Sequence, residues 1–157
     1  MDKNTDVFDK IINLLDSNNI VYKLEIHKEV KTSEEAAKIR GVDISTGAKA
    51  LVIKVDKQNF ALFVMPANKQ LSWKKLKEEL GFKKPRMATI EEVENLTKCK
   101  VGGVPPFGNL MGLTTYFDKG IEDIKSVNFN AGLRTHSVNL KSNDLISLVK
   151  PFIANLC

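Results

Sequence analysis

The chain has 157 residues, of which 43% are hydrophobic and 27% charged, which is the balance of an ordinary globular domain. No apolar run reaches the ~18 residues of a membrane-spanning helix, and the polar residues 1–6 do not resemble a signal peptide. The net charge of +5 permits an anionic partner without requiring one. We therefore expect one domain over residues 1–157, located in the cytoplasm and without a membrane partner.

Hydrophobic periodicity and turn residues predict helices and strands that alternate along the chain. Two Thr-x-x-Glu segments, Thr32–Glu35 and Thr89–Glu92, are typical of capping boxes at helix starts. The result is a mixed α/β (α+β) domain with hairpins, which excludes a doubly wound fold. In chain order we predict a helix over 6–17, a strand over 20–26, a helix from 32 to 41, strands over 48–55 and 60–65, a helix from 72 to 81, a strand over 86–88, a helix over 89–96, strands over 110–117, 126–129 and 135–140, and a helix over 143–153.

Chemistry based on a metal, a cysteine or a nucleotide cofactor has little support. His27 and His136 are the only histidines, and neither has a second ligand at metal-binding spacing. Cys99 and Cys157 form no CxxC motif, and neither has an evident base for a Cys-His hydrolase. The chain has no phosphate-binding loop motif and no dinucleotide fingerprint. We expect neither a metal nor a cofactor.

The most informative segment is a loop of glycine and proline over residues 102–108, Gly-Gly-Val-Pro-Pro-Phe-Gly, here called the Gly/Pro loop. Glycine reaches positive φ and allows another molecule to approach the backbone, while proline fixes φ and removes an amide donor. Such a stiff loop, with its peptide groups exposed, suits the wall of a small-molecule pocket. The alternative is a rigid connector between two elements.

Two further side chains are candidates for contact with an anion. Lys49 stands at the start of a strongly apolar strand, so its ammonium lies either on the exposed face or at the mouth of a cleft. Thr32 is fully explained by helix capping, although helix N-termini also present N–H groups to anionic ligands. Both alternatives stay open for both residues.

The order of these motifs resembles the YbaK/prolyl-tRNA synthetase-associated domain family, whose members are editing deacylases that act on aminoacyl-tRNA. The similarity extends over nearly the whole chain. The matching segments are His27 and residues 32–37, 47–51, 64–67, 86–88, 102–108 and 130–132.

The resemblance implies a compact fold with surrounding helices on a curved, largely antiparallel, barrel-like sheet, and it implies roles for particular residues. By analogy with the family, Lys49 is important for hydrolysis and contacts the 3′ end of the tRNA. The backbone of Gly102 and Gly103, with Val104, Pro105 and Pro106, orients the aminoacyl group and the attacking water. Thr32, Gly132 and His136 fall at or near positions that bind substrate.

The function implied is hydrolysis of the ester in mischarged tRNA, with Ala- or Cys-tRNA(Pro) as the expected substrates. The partners implied are aminoacyl-tRNA and an aminoacyl-tRNA synthetase, with no DNA. Two alternatives remain: a non-catalytic module that binds tRNA or a synthetase, and a hydrolase of another small ester that uses the same pocket.

Overall fold

A computed structural model of the protein describes residues 5–157; residues 1–4, part of the polar start noted above, lie outside the described residues. No helix within 5–157 is long and apolar enough to cross a membrane. The helices are α1 (Asp6–Ser17), α2 (Ser33–Arg40), α3 (Trp73–Glu78), α4 (Ile90–Thr97) and α5 (Ser142–Val149). The strands are β1 (Tyr22–Ile26), β2 (Ala48–Lys54), β3 (Phe60–Pro66), β4 (Arg86–Met87), β5 (Thr114–Asp118), β6 (Ser126–Asn130), β7 (His136–Lys141) and β8 (Phe152–Ala154).

The strands form two sheets, of order β1-β7-β6 and β4-β2-β3-β5-β8. Four of the six strand pairings are antiparallel, while β3-β5 and β5-β8 are parallel. The expected mixed α/β architecture is thus confirmed, with one correction, because the sheets do not close into a barrel. Within 5–157, one isolated bridge between Gly47 and Asn128 is the ladder contact that links them.

The five-stranded sheet separates two hydrophobic cores because successive side chains of a strand point to opposite faces. On one face, Val52, Leu62 and Val64 pack with helices α1 and α5 and with the three-stranded sheet. On the other face, Ile53 and Phe63 pack with α3. Strand β3 is therefore apolar along its whole length, as a strand buried on both faces must be.

Most predicted elements are present, and the main differences lie at the C-terminal end of the chain and before β5, while α3 ends at Glu78 and not at residue 81. The final helix ends at Val149, not near residue 153, because Lys150 adopts a left-handed φ of 53° and Pro151 cannot continue the helix. The next residues form β8, which pairs with β5. The strand predicted from residue 110 begins at Thr114, after a 3₁₀ turn over Gly108–Leu110.

Both predicted Thr-x-x-Glu helix starts are present. Thr89 and Glu92 form the complete, reciprocal capping box at the start of α4. At α2 the Thr32 hydroxyl oxygen accepts the Glu35 N–H at 3.1 Å, which is one half of the expected box.

Candidate active site

A cavity of about 200 Å³ lies where the first part of β2 meets α2 and the Gly/Pro loop. Four of the residues predicted from the sequence line it: Thr32, Lys49, Gly102 and Val104. Much of the remaining wall is small and apolar, since alanines from α2, from β2 and from the position after β3 contribute to it. The fold therefore brings the N-terminus of a helix, a lysine and a bare loop together around one small cavity.

One side of this cavity is an open strand edge. The Val52 carbonyl accepts the Ala88 N–H at 3.0 Å on the β4 side of the strand. The Gly47 carbonyl accepts the Ala67 N–H at 2.8 Å on the β3 side. Backbone groups alternate between the two edges of a strand, so the Ala50 N–H and C=O face the same edge as those of Val52. The β4 pairing reaches only Ile53 and Lys54. Consequently the peptide groups of Ala50 are turned toward the cavity.

Lys49 is half-buried, and within residues 5–157 it forms no ion pair. Its charge also acts on Cys157. Burial of the Cys157 thiol raises its pKa to about 11, while the charges of Lys69 and Lys49 oppose this shift. Lys49 also lines the cavity, which makes it a candidate there for contact with an anionic ligand.

The Gly/Pro loop is anchored by its second half. Pro105 and Pro106 are buried, and the fully buried ring of Phe107 packs edge-on against Phe129 with centroids 5.6 Å apart. Gly103 is also buried, and its N–H donates to the Lys100 carbonyl at 2.8 Å. Of the five loop residues singled out from the sequence, only Gly102 and Val104 line the cavity.

Gly102 has a φ of +93°, and a Cβ atom placed there would lie 3.3 Å from the Lys31 carbonyl oxygen. Glycine is therefore required for two reasons. The positive φ disfavours residues with a side chain, and the segment before α2 comes too close to leave room for one. Among the hydrogen bonds of residues 5–157, the Gly102 N–H has no acceptor. The N–H of Val104, which also lines the cavity, likewise has no acceptor among these hydrogen bonds, so Gly102 and Val104 both have an amide that can donate to a substrate oxygen, whereas the Gly103 amide is committed to a turn.

The remaining two predicted residues lie away from the cavity. Gly132 is buried against α1, where a Cβ atom would lie 3.1 Å from the Phe8 nitrogen. The His136 ring packs edge-on against Phe8, with centroids 4.8 Å apart. Burial, with a smaller contribution from the charge of His27, lowers the pKa of His136, which favours its neutral form. Neither residue lines the cavity, so their roles in substrate binding stay predictions.

The cavity also contains a polar pair that was not among the predicted site residues, Arg40 and Asn130. The Arg40 Nη2 donates to the Asn130 Oδ1 at 2.9 Å, and Asn130 Nδ2 donates to the Gly102 carbonyl. Asn130 stood in a matching motif, but Arg40 resembled any cation in the last turn of a helix. Only the folded arrangement shows that its guanidinium is turned inward.

The described residues contain no group of three or more His, Cys, Asp or Glu side chains arranged to hold a metal ion. Cys99 and Cys157 are not joined by a disulfide. The polar groups that line the cavity are backbone amides, three cationic side chains, one carboxylate, the hydroxyls of Thr32 and Ser33 and the amide of Asn130.

Comparisons with known proteins point to one family. Residues 27–148 match the family model described as an aminoacyl-tRNA editing domain. The chain is 30% identical to the Multifunctional Ser/Thr-tRNA deacylase ProXp-y of Escherichia coli (strain K12), over 99% of this chain and 95% of that protein. The chain belongs to the aminoacyl-tRNA editing domain family, and the resemblance seen in its motifs is confirmed.

Solved structures agree with this assignment. The crystal structure of hypothetical protein APE2540 superposes with a TM-score of 0.84 at 25% identity, covering 94% of this chain and 98% of that one. A second structure, described as a proposed trans-editing enzyme for prolyl tRNA synthetase, gives a TM-score of 0.81 at 25% identity, with 98% of both chains covered. The fold that the motifs implied is thus found in proteins of similar length.

Proposed function

We propose that this protein, an aminoacyl-tRNA deacylase, hydrolyses the ester of tRNA charged with a small amino acid, and that Ala-tRNA(Pro) and Cys-tRNA(Pro) are its substrates. The observation that carries the proposal is the small alanine-lined cavity shared by Lys49, Gly102 and the N-terminus of α2. A cavity of about 200 Å³ suits a short side chain better than a large one. Similarity to a proposed trans-editing enzyme for prolyl tRNA synthetase supports tRNA(Pro) as the carrier.

The reaction needs no protein nucleophile, because an aminoacyl ester is already activated. The Gly102 N–H would donate to the carbonyl oxygen as negative charge develops there. Lys49 would pair with the 3′ end of the tRNA and hold the ester in place, which converts binding energy into orientation. Water, or a hydroxyl or thiol group of the substrate itself, would attack the carbonyl carbon. Thr32 and Val104, which both line the cavity, would contact the aminoacyl group.

Seryl- and threonyl-tRNA are the second candidate substrates, because the Escherichia coli relative is named a Ser/Thr-tRNA deacylase. Polar groups of Thr32 and Asn130 at the cavity could receive a substrate hydroxyl. Size alone discriminates weakly, since one methylene is worth only about 1–3 kcal/mol in an apolar pocket. The substrate must therefore be determined by comparing amino acids on the same tRNA.

The decisive test is single-turnover deacylation of tRNA(Pro) charged separately with Pro, Ala, Cys, Ser and Thr. We expect hydrolysis of the Ala and Cys esters, and a loss of at least about 100-fold in the Lys49→Ala variant, the cost of an orienting charge contact. Lys54→Ala is the matched control, because Lys54 lies on the same strand but does not line the cavity. Its rate should equal that of the wild type.

Each alternative has its own outcome. Preferential hydrolysis of Ser- or Thr-tRNA would show that the proposed amino acid is wrong, while the proposed site would stand. Salt-sensitive tRNA binding without any turnover would make the protein a binding module. Equal rates for aminoacyl-tRNA and for a simple aminoacyl ester would indicate a hydrolase of small esters. Unchanged turnover by Lys49→Ala would remove Lys49 from the mechanism.

A further inference from the structure

Arg40 is a cation at the end of a helix whose charged group is turned inward and not toward solvent. It is the last residue of α2, and the following Gly41, at φ 68°, ends the helix. Its guanidinium is half-buried and forms part of the wall of the site cavity and also of a second cavity of about 260 Å³ beside β7. No carboxylate of residues 5–157 lies within ion-pair distance of it.

Two of its three nitrogens are fixed by neutral partners. Nε donates to the Ser137 hydroxyl at 2.9 Å and Nη2 to the Asn130 Oδ1 at 2.9 Å. Asn130 and Ser137 are register partners on β6 and β7, so the guanidinium is held against a rigid two-strand platform. The third nitrogen, Nη1, donates to no residue in the part of the chain that the structure describes.

His27 completes this arrangement from the far side. Its Nδ1 lies 2.8 Å from the Lys28 carbonyl, which can only accept, so Nδ1 carries the hydrogen. In the neutral ring Nε2 is then an acceptor for the Ser137 hydroxyl at 2.7 Å, a closer acceptor than Asn130 Oδ1 at 3.3 Å. The Ser137 oxygen is thereby oriented to accept from Arg40, and the network supplies no negative charge to the guanidinium.

The electrostatic surroundings favour an anion at the site cavity. Burial lowers the pKa of Arg40 to about 10, so it remains charged at neutral pH, and Glu25 opposes that shift only from a distance. Around the site cavity Lys31, Lys49 and Arg40 stand against a single carboxylate, Asp43. That carboxylate already accepts the Ser45 N–H. A cation with little water around it gains more from a bound anion than an exposed one does.

We propose that Arg40 binds the phosphate group of the substrate's 3′-terminal nucleotide, using the free Nη1 edge of a guanidinium that Asn130 and Ser137 hold in place. The proposal rests on the proposed function, since the aminoacyl ester and the terminal nucleotide enter together. A planar guanidinium matches phosphate geometry better than an ammonium does. Asn130 Nδ2 also donates to the Gly102 carbonyl, so the same side chain positions both the Arg40 guanidinium and the Gly/Pro loop.

The test uses adenosine 5′-monophosphate and adenosine as probes, titrated by calorimetry into the free protein. They differ only in the phosphate group, so the ratio of their affinities isolates the phosphate contact. We expect the wild type to bind the monophosphate about 10- to 100-fold more tightly, the range of a charge-assisted hydrogen bond. In Arg40→Gln the ratio should lose most of this factor, with the remainder due to Lys49, while the affinity for adenosine is unchanged.

Two further variants keep the result interpretable. Lys38→Gln removes an exposed charge from the same helix that lines neither cavity, and its ratio should equal that of the wild type. Arg40→Lys keeps the charge without the planar fork, so its ratio should lie between those of the wild type and Arg40→Gln.

Several results would overturn the proposal. Equal affinity of the wild type for the two probes, or no measurable binding of the monophosphate at millimolar concentration, would do so. Equal weakening of both probes in Arg40→Gln would assign Arg40 a structural role instead. Binding does not require hydrolysis, so a monophosphate preference without deacylation would contradict the proposed function and leave the phosphate site standing.

Discussion

At the residue scale, two glycines with the same left-handed backbone differ in what surrounds them. Gly132 has a φ of +87°, and a Cβ atom there would lie 3.1 Å from the Phe8 nitrogen and 3.3 Å from Val7 Cγ1. Gly112 has a φ of +68° with nothing within 4 Å of the same position. Replacing either by alanine costs about 1–2 kcal/mol for the backbone conformation. Only at Gly132 must α1 also move.

We therefore expect Gly132→Ala to lower the free energy of unfolding by more than Gly112→Ala does. Urea denaturation of the two variants beside the wild type measures the difference. Equal losses in the free energy of unfolding would mean that α1 shifts to make room for the added methyl group without a measurable cost. Retention of deacylation by Gly132→Ala, measured well below its melting temperature, would further indicate that Gly132 supports α1 and does not contact substrate.

The site could be predicted from the sequence only where a residue's own chemistry revealed its position. A lysine inside an apolar strand and a glycine-proline loop are unusual enough that Lys49 and Gly102 could be predicted, and both line the cavity. The same motif could not tell which loop residues face outward, because Pro105 and Pro106 are buried by the anchoring of Phe107. Arg40 could not be predicted, because the inward turn of its side chain depends on partners about 90 residues away.

At the element scale, the start of α4 combines a capping box with an ion pair. Glu92 accepts the Thr89 N–H at 2.8 Å, and its two oxygens also pair with Arg86 at 2.8 and 3.0 Å. The hydrogen bond from Arg86 is the main reason that the pKa of Glu92 falls to about 2, from 4.5. Because the folded state lowers this pKa, the stabilisation is complete above pH 4.5 and is lost as the pH falls toward 2.

The corresponding variant is Glu92→Gln, which keeps an oxygen for Thr89 but removes the charge. We expect it to be less stable than the wild type at pH 7, and the difference should disappear between pH 4.5 and 2. Glu91→Gln alters a neighbouring carboxylate that forms no ion pair within residues 5–157, and this variant serves as the control without a charge contact. Chemical denaturation at a series of pH values provides the comparison, and a difference independent of pH would rule out the charge as its cause.

Elements with strong local signals were predicted well, and those set by long-range pairing were not. Helix α1 and the β2-β3 hairpin follow from apolar periodicity and a polar turn, and both are present. Strand β8 has only three residues, and its pairing with β5 is a contact between segments more than 30 residues apart. Its apolar residues continue the pattern of α5, so the sequence predicted a longer helix. The conformational preferences of the residues themselves do not reveal a strand partner that lies so far away in the sequence.

At the scale of the whole molecule, the site depends on the junction between the two sheets. Asn128 of β6 is buried, its Nδ2 donates to Thr46 at 3.0 Å, and its Oδ1 accepts from Asn139 at 3.0 Å. The adjoining bridge joins Asn128 to Gly47, and the residues that follow Gly47 form the open edge of the cavity. The position of that edge relative to Asn130 and the Gly/Pro loop is therefore set by this junction.

Replacing Asn128 by alanine should weaken both the fold and the site. Two buried partners lose a hydrogen bond, so we expect the free energy of unfolding to fall by about 1–3 kcal/mol. Asn109→Ala is the control, since Asn109 is exposed and makes only a long hydrogen bond of 3.4 Å. Deacylation by folded Asn128→Ala should also be slower, because Ala50 and Lys49 would no longer be held against the opposite wall. A variant that loses stability but keeps full activity would show that α2 and the Gly/Pro loop hold the site together without the sheet junction.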